Sequence, residues 1–554
     1  MQGKVGQFAL LLALSVAIWF GGYFRRGLWE PDEARYAYVA REMKWEGHMA
    51  VPHRYGLPYA HKPPLFFWLT NAAAHLTGGE INSFSARLPS FAGIVLALWM
   101  TWQIGALWFG RAVAWRAALI LATSYLFWYE GNMGRMDSVL CGLETAALFL
   151  LFSHDVRPQR WRLMGAYVCM GFAVLAKGPV GFIVPYGAYI CATASVGEWG
   201  RLRKWHLAWG PLVVMLFPAV WLLGAWREGA PGSYFDELFF KQNIGRMTGK
   251  DEFGKPGPFY YHLLRFPAEF LPWTLVLPAA WMALSADAEG RAARRRLLGW
   301  FLLVVGFFSV CKGKRDLYIL AAYPAASLFV ALAWERLEGL ARRWIRPTVV
   351  LIVGFLALLG AGALGTALYP RLAAGGAGLS PLGRALSRIP PDVVKFLSAN
   401  GMLFAVLGVI LLAGAAGLLA VWRRRGVGRE VFGALVATLV LMQIWVLAVV
   451  LPALDPLKTP EAIAPELASH VPPGQKILML GEAEEIVPFY CGRLGVLARD
   501  PDDLRARMLA MKQGVVVLRL PFWEGVKAVL PGVKAVHPFE YGHKDLVWCV
   551  FDTQ

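Results

Sequence analysis

The chain has 554 residues, of which 57% are hydrophobic and only 17% are charged. Soluble domains are about half apolar and about a quarter charged, so this composition excludes a string of ordinary soluble domains. The formal net charge of +18 does not indicate nucleic-acid binding, because the basic residues lie in short loops between apolar runs, where they orient a membrane protein. We therefore predict a polytopic membrane protein with membrane lipids around it and no nucleic-acid partner.

The first apolar run resembles a signal peptide, with Lys4 followed by the stretch from Phe8 to Phe20. No cleavage site of small residues follows, and a charged segment begins at Arg25. The pattern therefore predicts an uncleaved first transmembrane helix.

A helix that crosses the membrane needs about 20 mostly apolar residues. About thirteen segments have this character, although several are short or are separated only by charged residues or proline. They are residues 7–24, 84–108, 112–129, 136–153, 161–176, 179–196, 206–226, 266–284, 296–311, 316–334, 346–367, 400–421 and 429–452.

The arginines predict the orientation of these spans. With the N-terminus in the cytoplasm, six short arginine-rich loops fall on the cytoplasmic side, as the positive-inside rule requires. They lie within residues 111–116, 157–162, 201–204, 291–296, 336–346 and 423–429. Arg25 and Arg26 lie at the outer end of the first span and do not follow this rule, but the six loops that follow it decide the predicted orientation. In a bacterial inner membrane, the long periplasmic segments are then 25–83, 227–265, 368–399 and 453–554.

The last of these segments is not a membrane span. The runs 476–481 (KILMLG) and 514–520 (GVVVLRL) are typical of short buried strands. Residues 501–511 are typical of a helix, with acids near its start and arginines later. We predict a small α/β domain over 453–554 after a transmembrane domain over 1–452. Residues 368–399, rich in glycine and proline, predict a loop with one surface helix.

The six cysteines are scattered, and none forms a CxxC pair, so no zinc framework is visible in the sequence. Cys491 and Cys549 share the C-terminal segment and could pair in an oxidising compartment. Separate thiols are the favoured alternative.

The loop after the first span carries the strongest chemical signal. Glu30, Asp32 and Glu33 cluster at a predicted helix start, where Pro31 and acidic side chains are favoured. A capped amphipathic helix on the membrane surface would explain the acids alone. It would not explain Arg35 and the His-Lys-Pro-Pro turn at 61–64 between the same two spans, so we interpret the loop as part of an active site.

Further charged residues recur at the predicted periplasmic ends of spans. They are Arg135, Asp137, Lys177, Arg246, Lys312, Lys314, Arg315 and Asp316. Some will anchor helices at the interface, but the positive-inside rule calls for no basic groups on this side. Ionisable groups at a bundle mouth indicate function by default.

The residue types indicate the chemistry. Lysine and arginine bind phosphate oxygens, aspartate can act as a base, and the tyrosines of the first loop could stack on a sugar. No glycine-rich phosphate loop is visible, and nucleotides are scarce outside the cytoplasm. A sugar carried on a polyprenyl phosphate fits, with its tail in the bilayer and its phosphate at the basic residues.

Several motifs together resemble the GT-C membrane glycosyltransferases of the protein O-mannosyltransferase superfamily. They are Asp32-Glu33 with Arg35-Tyr36-Ala37, Arg41-Glu42-Met43, the run ending in Lys62-Pro63-Pro64, Ala86-Arg87-Leu88-Pro89, Arg135-Met136-Asp137, Ala176-Lys177-Gly178-Pro179, Asn243 with Arg246, and the run from Lys314 to Pro324. The sequence is most similar to the bacterial 4-amino-4-deoxy-L-arabinose transferases, which modify lipid A.

The resemblance implies roles for individual residues. It makes Asp32 the key acid of the first loop and Asp137 a second, supporting acid. Donor-phosphate binding is implied for Lys62, Arg246 and Lys177. Cavity-lining positions are implied for Glu33, Arg35, Tyr36, Tyr59, His61 and Tyr318.

The sequence also departs from the family pattern. His61 stands where relatives commonly have an acidic residue, and Lys241-Gln242-Asn243 lacks a histidine that some relatives show. Cys311 replaces a small residue. No cofactor and no metal ligand is therefore predicted, although a divalent metal is left open.

The resemblance implies an inverting transfer of 4-amino-4-deoxy-L-arabinose from undecaprenyl phosphate to lipid A, or to another glycan or a protein. Basic residues would stabilise charge on the departing phosphate. Asp32 would be the general base for a hydroxyl acceptor, and would orient groups for a phosphate acceptor, which is already anionic. The alternatives are transfer of another lipid-linked sugar such as mannose, or a lipid-linked sugar transporter. A transporter would show internal repeats, and a purely structural subunit would leave the charges unexplained.

Overall fold

The computed structural model describes residues 2–202, 206–245, 256–337, 342–374, 391–426, 428–481, 486–541 and 544–553. Helices dominate the first 453 residues. In chain order they are α1 (Gln2–Trp19), α2 (Asp32–Glu46), α3 (Leu65–Ala74), α4 (Ser83–Trp108), α5 (Arg111–Thr123), α6 (Tyr125–Gly131), α7 (Met136–Val156), α8 (Arg160–Lys177), α9 (Val180–Ala194), α10 (Trp199–Leu202), α11 (His206–Arg227), α12 (Gly232–Asp236), α13 (Tyr261–Glu269), α14 (Leu277–Ala283), α15 (Ala288–Val310), α16 (Tyr323–Leu337), α17 (Arg342–Ala374), α18 (Pro391–Ala399), α19 (Gly401–Arg425), α20 (Arg429–Trp445) and α21 (Leu451–Ala453).

Strands appear in the first loop and near the C-terminus. The loop holds β1 (His53–Arg54) and β2 (Leu57–Pro58). The C-terminal elements are α22 (Ala464–Ser469), β3 (Ile477–Leu480), α23 (Ile486–Tyr490), β4 (Gly495–Ala498), α24 (Pro501–Met511), β5 (Gln513–Arg519), α25 (Leu520–Val526), β6 (Val533–Tyr541) and β7 (Lys544–Asp552).

The chain divides into two compact units. The helical unit comprises Met1–Gly22, Ser90–Leu222 and Asp236–Val450. The mixed unit comprises Tyr23–Pro89, Leu223–Phe235 and Leu451–Gln554. The first loop thus shares a unit with the C-terminal segment, while the predicted domain boundary at residue 452 stays a prediction.

Eight helices of the described part are long and apolar enough to cross a membrane. They are Val5–Gly22, Ser83–Trp108, Met136–Val156, Leu207–Arg227, Asp316–Leu337, Arg346–Leu368, Gly401–Arg424 and Arg429–Ala453. The other five candidate segments are also helical, but they are broken, shorter, or carry arginines at one end. The clearest break is at Ser124, whose extended backbone separates α5 from α6. The chain is a multi-pass membrane protein, as predicted.

Three tryptophan indoles inside the helical unit find partners within it. The indole of Trp19 donates to the carbonyl of Trp128 at 2.9 Å, and the indole of Trp128 donates to the carbonyl of Ile18 at 3.1 Å. The indole of Trp273 donates to the Thr123 hydroxyl at 3.0 Å. Such pairing is required where no water can replace a lost hydrogen bond.

The mixed unit contains a five-stranded sheet in the order β4-β3-β5-β7-β6. The strand β3 lies parallel to β4 and β5, whereas β7 is antiparallel to β5 and β6. Leu478, Val516 and Phe551 form its core with Leu504 and Met508 of α24. This confirms both strands and the helix predicted from the sequence.

The start of α24 has the capping that the sequence pattern indicates. The Asp500 side chain accepts a hydrogen bond from the backbone nitrogen of Asp503 at 2.8 Å, which satisfies one of the helix's unpaired donors.

Cys491 and Cys549 are buried free thiols, and burial raises the pKa of each to about 12. The favoured alternative of separate thiols therefore agrees with the structure. The predicted loop at 368–399 lies partly outside the described residues, and its end forms α18.

Two glycines set the closest approach of α4 and α7. A Cβ atom on Gly142 would lie 2.4 Å from the carbonyl oxygen of Gly93, and a Cβ atom on Gly93 would lie 2.4 Å from that of Ser138. Small residues allow transmembrane backbones to approach this closely.

We therefore expect Gly142→Ala to destabilise the protein by about 1–3 kcal/mol, because the new methyl group forces the two backbones apart. Thermal unfolding in detergent would measure the change. Gly362→Ala in α17 is the matched control, since its Cβ atom would meet nothing within 4 Å. Equal unfolding temperatures for the two variants would contradict the assignment.

Candidate active site

The acidic motif of the first loop begins a helix, as its sequence indicates. The helix α2 starts at Asp32, directly after Pro31, and its first turn holds Asp32 and Glu33. Acids in the first turn are favoured by the helix dipole. Both side chains are nevertheless buried, with 3% exposure for Asp32 and 1% for Glu33, so this is no helix lying on a membrane surface.

Glu33 lies between two buried arginines. Its carboxylate accepts from Arg87 at 2.7 and 3.0 Å and from Arg26 at 3.3 Å, and it also accepts from the backbone nitrogen of Trp29 at 2.9 Å. Arg87 is fully buried and also donates to the carbonyl of Arg26 at 2.8 Å. This network, which we call the Glu33 network, joins α2, α4 and residues 26–29.

The network sets the protonation state of Glu33. Burial by itself would raise the pKa of this carboxyl, but the charges of Arg26 and Arg87 and the hydrogen bonds outweigh burial and lower the pKa to about 2. Glu33 is therefore ionised at any physiological pH and is held by structural contacts.

Residues 27–30, just before Asp32, are bound by the C-terminal part of the mixed unit. The Asp455 carboxylate accepts from the backbone nitrogen of Gly27 and from the Trp29 indole, both at 2.7 Å. The Tyr490 hydroxyl accepts from the backbone nitrogen of Leu28 at 2.7 Å. We call these contacts the C-terminal clamp, and an ion pair between Lys544 and Glu30 extends it.

The helix α2 makes further contacts within the same unit. The Tyr38 hydroxyl accepts from the backbone nitrogen of Gly495 at 2.8 Å. The Arg41 guanidinium donates to the carbonyl of Ile81 at 2.8 Å and lies 3.8 Å from the Phe489 ring. Burial lowers the pKa of Arg41 to about 10, so the side chain keeps its charge at pH 7. The orientation of α2 thus depends on elements far apart in sequence.

The predicted aromatic residues of the first loop lie together. Tyr59 stacks on His61 with ring centroids 4.7 Å apart, and it also meets Phe67 edge-on at 6.4 Å. Tyr36 meets Phe67 at 6.1 Å. Lys62, which follows His61 in the sequence, is buried, and Arg35 is half-buried. The structure thus brings Tyr36, Tyr59 and His61 into one aromatic cluster.

A second charged cluster lies in the helical unit. The helix α8 ends at Lys177, where Gly178 adopts a φ of 84°, and Asp137 lies in the first turn of α7. Lys177 and Asp137 form an ion pair whose side chains are only 9% and 7% exposed. The Lys177 nitrogen also lies 4.4 Å from the ring centre of Tyr318. Three predicted site residues therefore meet, and we call them the Lys177 cluster.

Other charges noted in the sequence have structural partners. The Lys314 nitrogen donates to the carbonyls of Phe308 at 2.9 Å and Ser309 at 2.6 Å, which caps the end of α15. Arg265 binds Asp316 at 2.6 Å. Arg135 binds Glu130 at 2.8 Å. The sequence favours function for this group of charges and an anchoring role for some of them, but it cannot show which carbonyl or carboxylate each one contacts.

Some site residues lie outside what the structure describes, notably Arg246 and the side chain of Asn243. The Lys177 cluster belongs to the helical unit, and Asp32, Lys62 and the aromatic cluster belong to the mixed unit.

Within the described ranges, no group of three or more His, Cys, Asp or Glu side chains could hold a metal ion. Sequence reasoning did not single out Glu144, which lies on α7 two turns beyond Asp137.

Comparison with known proteins identifies similar sequences. Residues 61–223 match the family model described as dolichyl-phosphate-mannose-protein mannosyltransferase. The chain is 33% identical over 367 residues to the undecaprenyl phosphate-alpha-4-amino-4-deoxy-L-arabinose arabinosyl transferase of Pectobacterium carotovorum subsp. carotovorum, covering 64% of this chain and 62% of that protein. It is 29% identical over 363 residues to the enzyme of the same name from Erwinia tasmaniensis, covering 64% of each. The chain thus spans slightly less than two thirds of the length of these relatives.

The fold is similar to that of a solved structure, ArnT from Cupriavidus metallidurans bound to undecaprenyl phosphate. The TM-score is 0.77, the identity is 22%, and the match covers 98% of both chains. The resemblance stated from the sequence motifs and the predicted helical membrane fold are both confirmed.

We expect Glu33→Gln to lower stability by about 3–5 kcal/mol at pH 7, because it leaves Arg26 and Arg87 buried without a countercharge. The folded pKa of Glu33 lies below the ordinary value of 4.5, so its contribution is complete above pH 4.5 and is lost as pH falls towards 2. The difference in unfolding temperature from the wild type should therefore shrink in acid. Glu289→Gln, at a side chain 91% exposed, is the control; a Glu33→Gln effect as small as this control's would refute the network's role.

We expect Tyr490→Phe to loosen residues 27–30, because the buried backbone nitrogen of Leu28 loses its acceptor at a cost of about 1–3 kcal/mol. Hydrogen–deuterium exchange should speed up in peptides that cover this segment and α2. Tyr260→Phe, at an exposed tyrosine, should leave exchange there unchanged. Unaltered exchange in Tyr490→Phe would rule out the clamp.

Proposed function

We propose, from this similarity to membrane glycosyltransferases, that the chain transfers 4-amino-4-deoxy-L-arabinose from undecaprenyl phosphate to lipid A. The proposal places the reaction on the periplasmic side of the bacterial inner membrane, following the arginine-rich loops predicted to face the cytoplasm. The names of the relatives support the donor. Lipid A as acceptor follows from the resemblance of the motifs.

One observation carries the proposal, the Lys177 cluster at the start of a membrane-spanning helix. Burying an ion pair costs desolvation energy, and the attraction between the two charges offsets this cost only when the geometry is good. An ion pair at this place therefore suggests a functional role. The Lys177 ammonium has three donors. Asp137 takes one and fixes its position, which leaves the ammonium suited to bind an anionic oxygen.

A phosphate oxygen bound by Lys177 would carry negative charge that grows as the sugar departs. A fixed positive charge in a site of low polarity stabilises that charge in the transition state. The same role is proposed from the sequence for Lys62 and Arg246. No general acid is needed, because the lipid phosphate is already a good leaving group.

The role of Asp32 depends on the acceptor. For a hydroxyl acceptor we propose that its carboxylate removes the proton. For a phosphate of lipid A, which is largely anionic at neutral pH, the carboxylate would orient the nucleophile or stabilise positive charge at the anomeric carbon. Direct attack inverts that carbon in both cases.

A second candidate is transfer of a different lipid-linked sugar to a protein. The match of residues 61–223 to the mannosyltransferase family model favours it. The fold and the lipid-phosphate chemistry would be the same, and only the sugar and acceptor would differ.

The test uses the purified full chain in lipid nanodiscs with undecaprenyl-phosphate aminoarabinose and lipid A. We expect mass spectrometry to show lipid A gaining one aminoarabinose, and Asp32→Asn to reduce the rate at least about 100-fold through the loss of a positioned carboxylate. Asp545→Asn, at an exposed aspartate of β7, should keep the full rate.

Two outcomes would contradict this proposal. Near-normal transfer by folded Asp32→Asn would remove Asp32 from the mechanism. No transfer by folded wild type would overturn the substrate assignment, and polyprenyl-phosphate mannose with peptide acceptors would then be tested.

A further inference from the structure

A second carboxylate lies on the same helix as Asp137. Glu144 follows Asp137 by seven residues, which is two turns of helix, so both lie on one face of α7. The Glu144 side chain is 2% exposed, within the membrane-spanning segment Met136–Val156. Nothing in the proposed transfer step uses this residue.

Glu144 is not satisfied by the protein around it. Its Oε1 atom is buried without a hydrogen-bond partner in the described part of the chain, and none of the ion pairs among those residues includes it. The charged groups that act on it are Lys177 and Asp137. Burying an unpaired carboxyl is costly, and an ionisable group inside a membrane span indicates function by default.

The Glu144 carboxyl lines a cavity of the helical unit. Asp137, Glu144 and Tyr318 contribute its polar walls, and Leu140, Phe308 and Leu317 are among its apolar ones. Its empty volume is about 220 Å³ with the open mouth included. The same Asp137 and Tyr318 contact Lys177, so the cavity adjoins the proposed phosphate-binding lysine.

We propose that Glu144 binds the ammonium group of an amino sugar, and that this contact selects the sugar. The proposal rests on the proposed function, in which Lys177 binds the donor phosphate. In a 4-amino sugar the amine lies across the ring from the carbon that bears the phosphate. A subsite for the amine therefore has to lie a short distance from Lys177 along the cavity.

The geometry of α7 provides that separation. Helical side chains lean towards the N-terminus of their helix, so the Glu144 carboxyl leans back towards Asp137 and the cavity. An ammonium group has donors and no acceptors, which matches the Oε1 atom of Glu144, a buried acceptor that lacks a donor. Because an amino group is about the size of a water molecule, only that end of the sugar has to enter.

A neutral sugar would not complete this site equally well. A hydroxyl group in place of the amine can donate one hydrogen bond but brings no positive charge, and hydrogen bonds between charged partners are about twice as strong as neutral ones. A bulky, uncharged N-acetyl group would neither pair with the carboxyl nor fit the amine position.

The test measures binding of two donors by the full chain in nanodiscs, namely undecaprenyl-phosphate aminoarabinose and the same lipid with a hydroxyl group in place of the amine. We expect the wild type to bind the amine donor at least about tenfold more tightly. In Glu144→Gln, which keeps the shape and removes the charge, the preference should vanish, with binding of the hydroxyl donor unchanged. That retained binding also checks that the variant is folded.

Thr145→Val is the matched control on the same helix. Thr145 is buried and its hydroxyl donates to the Cys141 carbonyl at 2.7 Å, but it does not line the cavity, so this variant should keep the amine preference. A wild type without the preference, or a Glu144→Gln variant that keeps it, overturns the subsite. Amine-selective binding without transfer would overturn the proposed function and support the subsite; transfer without selectivity would do the opposite.

Discussion

The first loop depends on one buried carboxylate. Glu33 pairs with both Arg26 and Arg87, all three are buried, and together they tie α2 to α4 and to the chain before it. Removing Glu33 leaves both arginines buried without this carboxylate, which is among the largest single penalties that a fold can suffer. The neighbouring residue, Asp32, is therefore held by a rigid support, as a residue proposed to take part in catalysis has to be.

The support of α2 extends to distant parts of the sequence. Asp455 and Tyr490 bind the backbone just before Asp32, and Gly495 at the start of β4 binds Tyr38 within α2. These contacts give the C-terminal segment a structural task within the mixed unit. Its small sheet lacks any catalytic motif of its own in the sequence, so positioning the first loop is the role that the contacts support best.

The two buried ion-pair systems differ in a way that bears on function. In the Glu33 network every oxygen of the carboxylate has partners, and two arginines share it. In the Lys177 cluster one lysine faces one aspartate and a tyrosine ring, and a second carboxylate, Glu144, lies nearby with an unpaired oxygen. A saturated network suits structure, whereas an unsaturated one suits the binding of a charged ligand.

Much of the fold and part of the candidate site could be predicted from the sequence. The lengths of the apolar runs predicted the helical segments, and the acids at 30–33 predicted the start of α2, because hydropathy and dipole effects are local. The partners of Glu33, Lys314 and Asp316 could not be predicted, since they depend on which elements pack together. Glu144 was missed because a single acid in an apolar run has no motif, and its unpaired state becomes visible only in three dimensions.

The proposed function depends most directly on the binding of a polyprenyl donor's phosphate by Lys177. Native mass spectrometry of the full chain with undecaprenyl phosphate tests it directly, comparing wild type with Lys177→Met and with Lys527→Met, which alters an exposed lysine of a surface ion pair. We expect one retained lipid per wild-type chain and per Lys527→Met chain, and markedly less on Lys177→Met, in which Lys62 and Arg246 are the remaining proposed phosphate ligands. Equal retention by all three would contradict it.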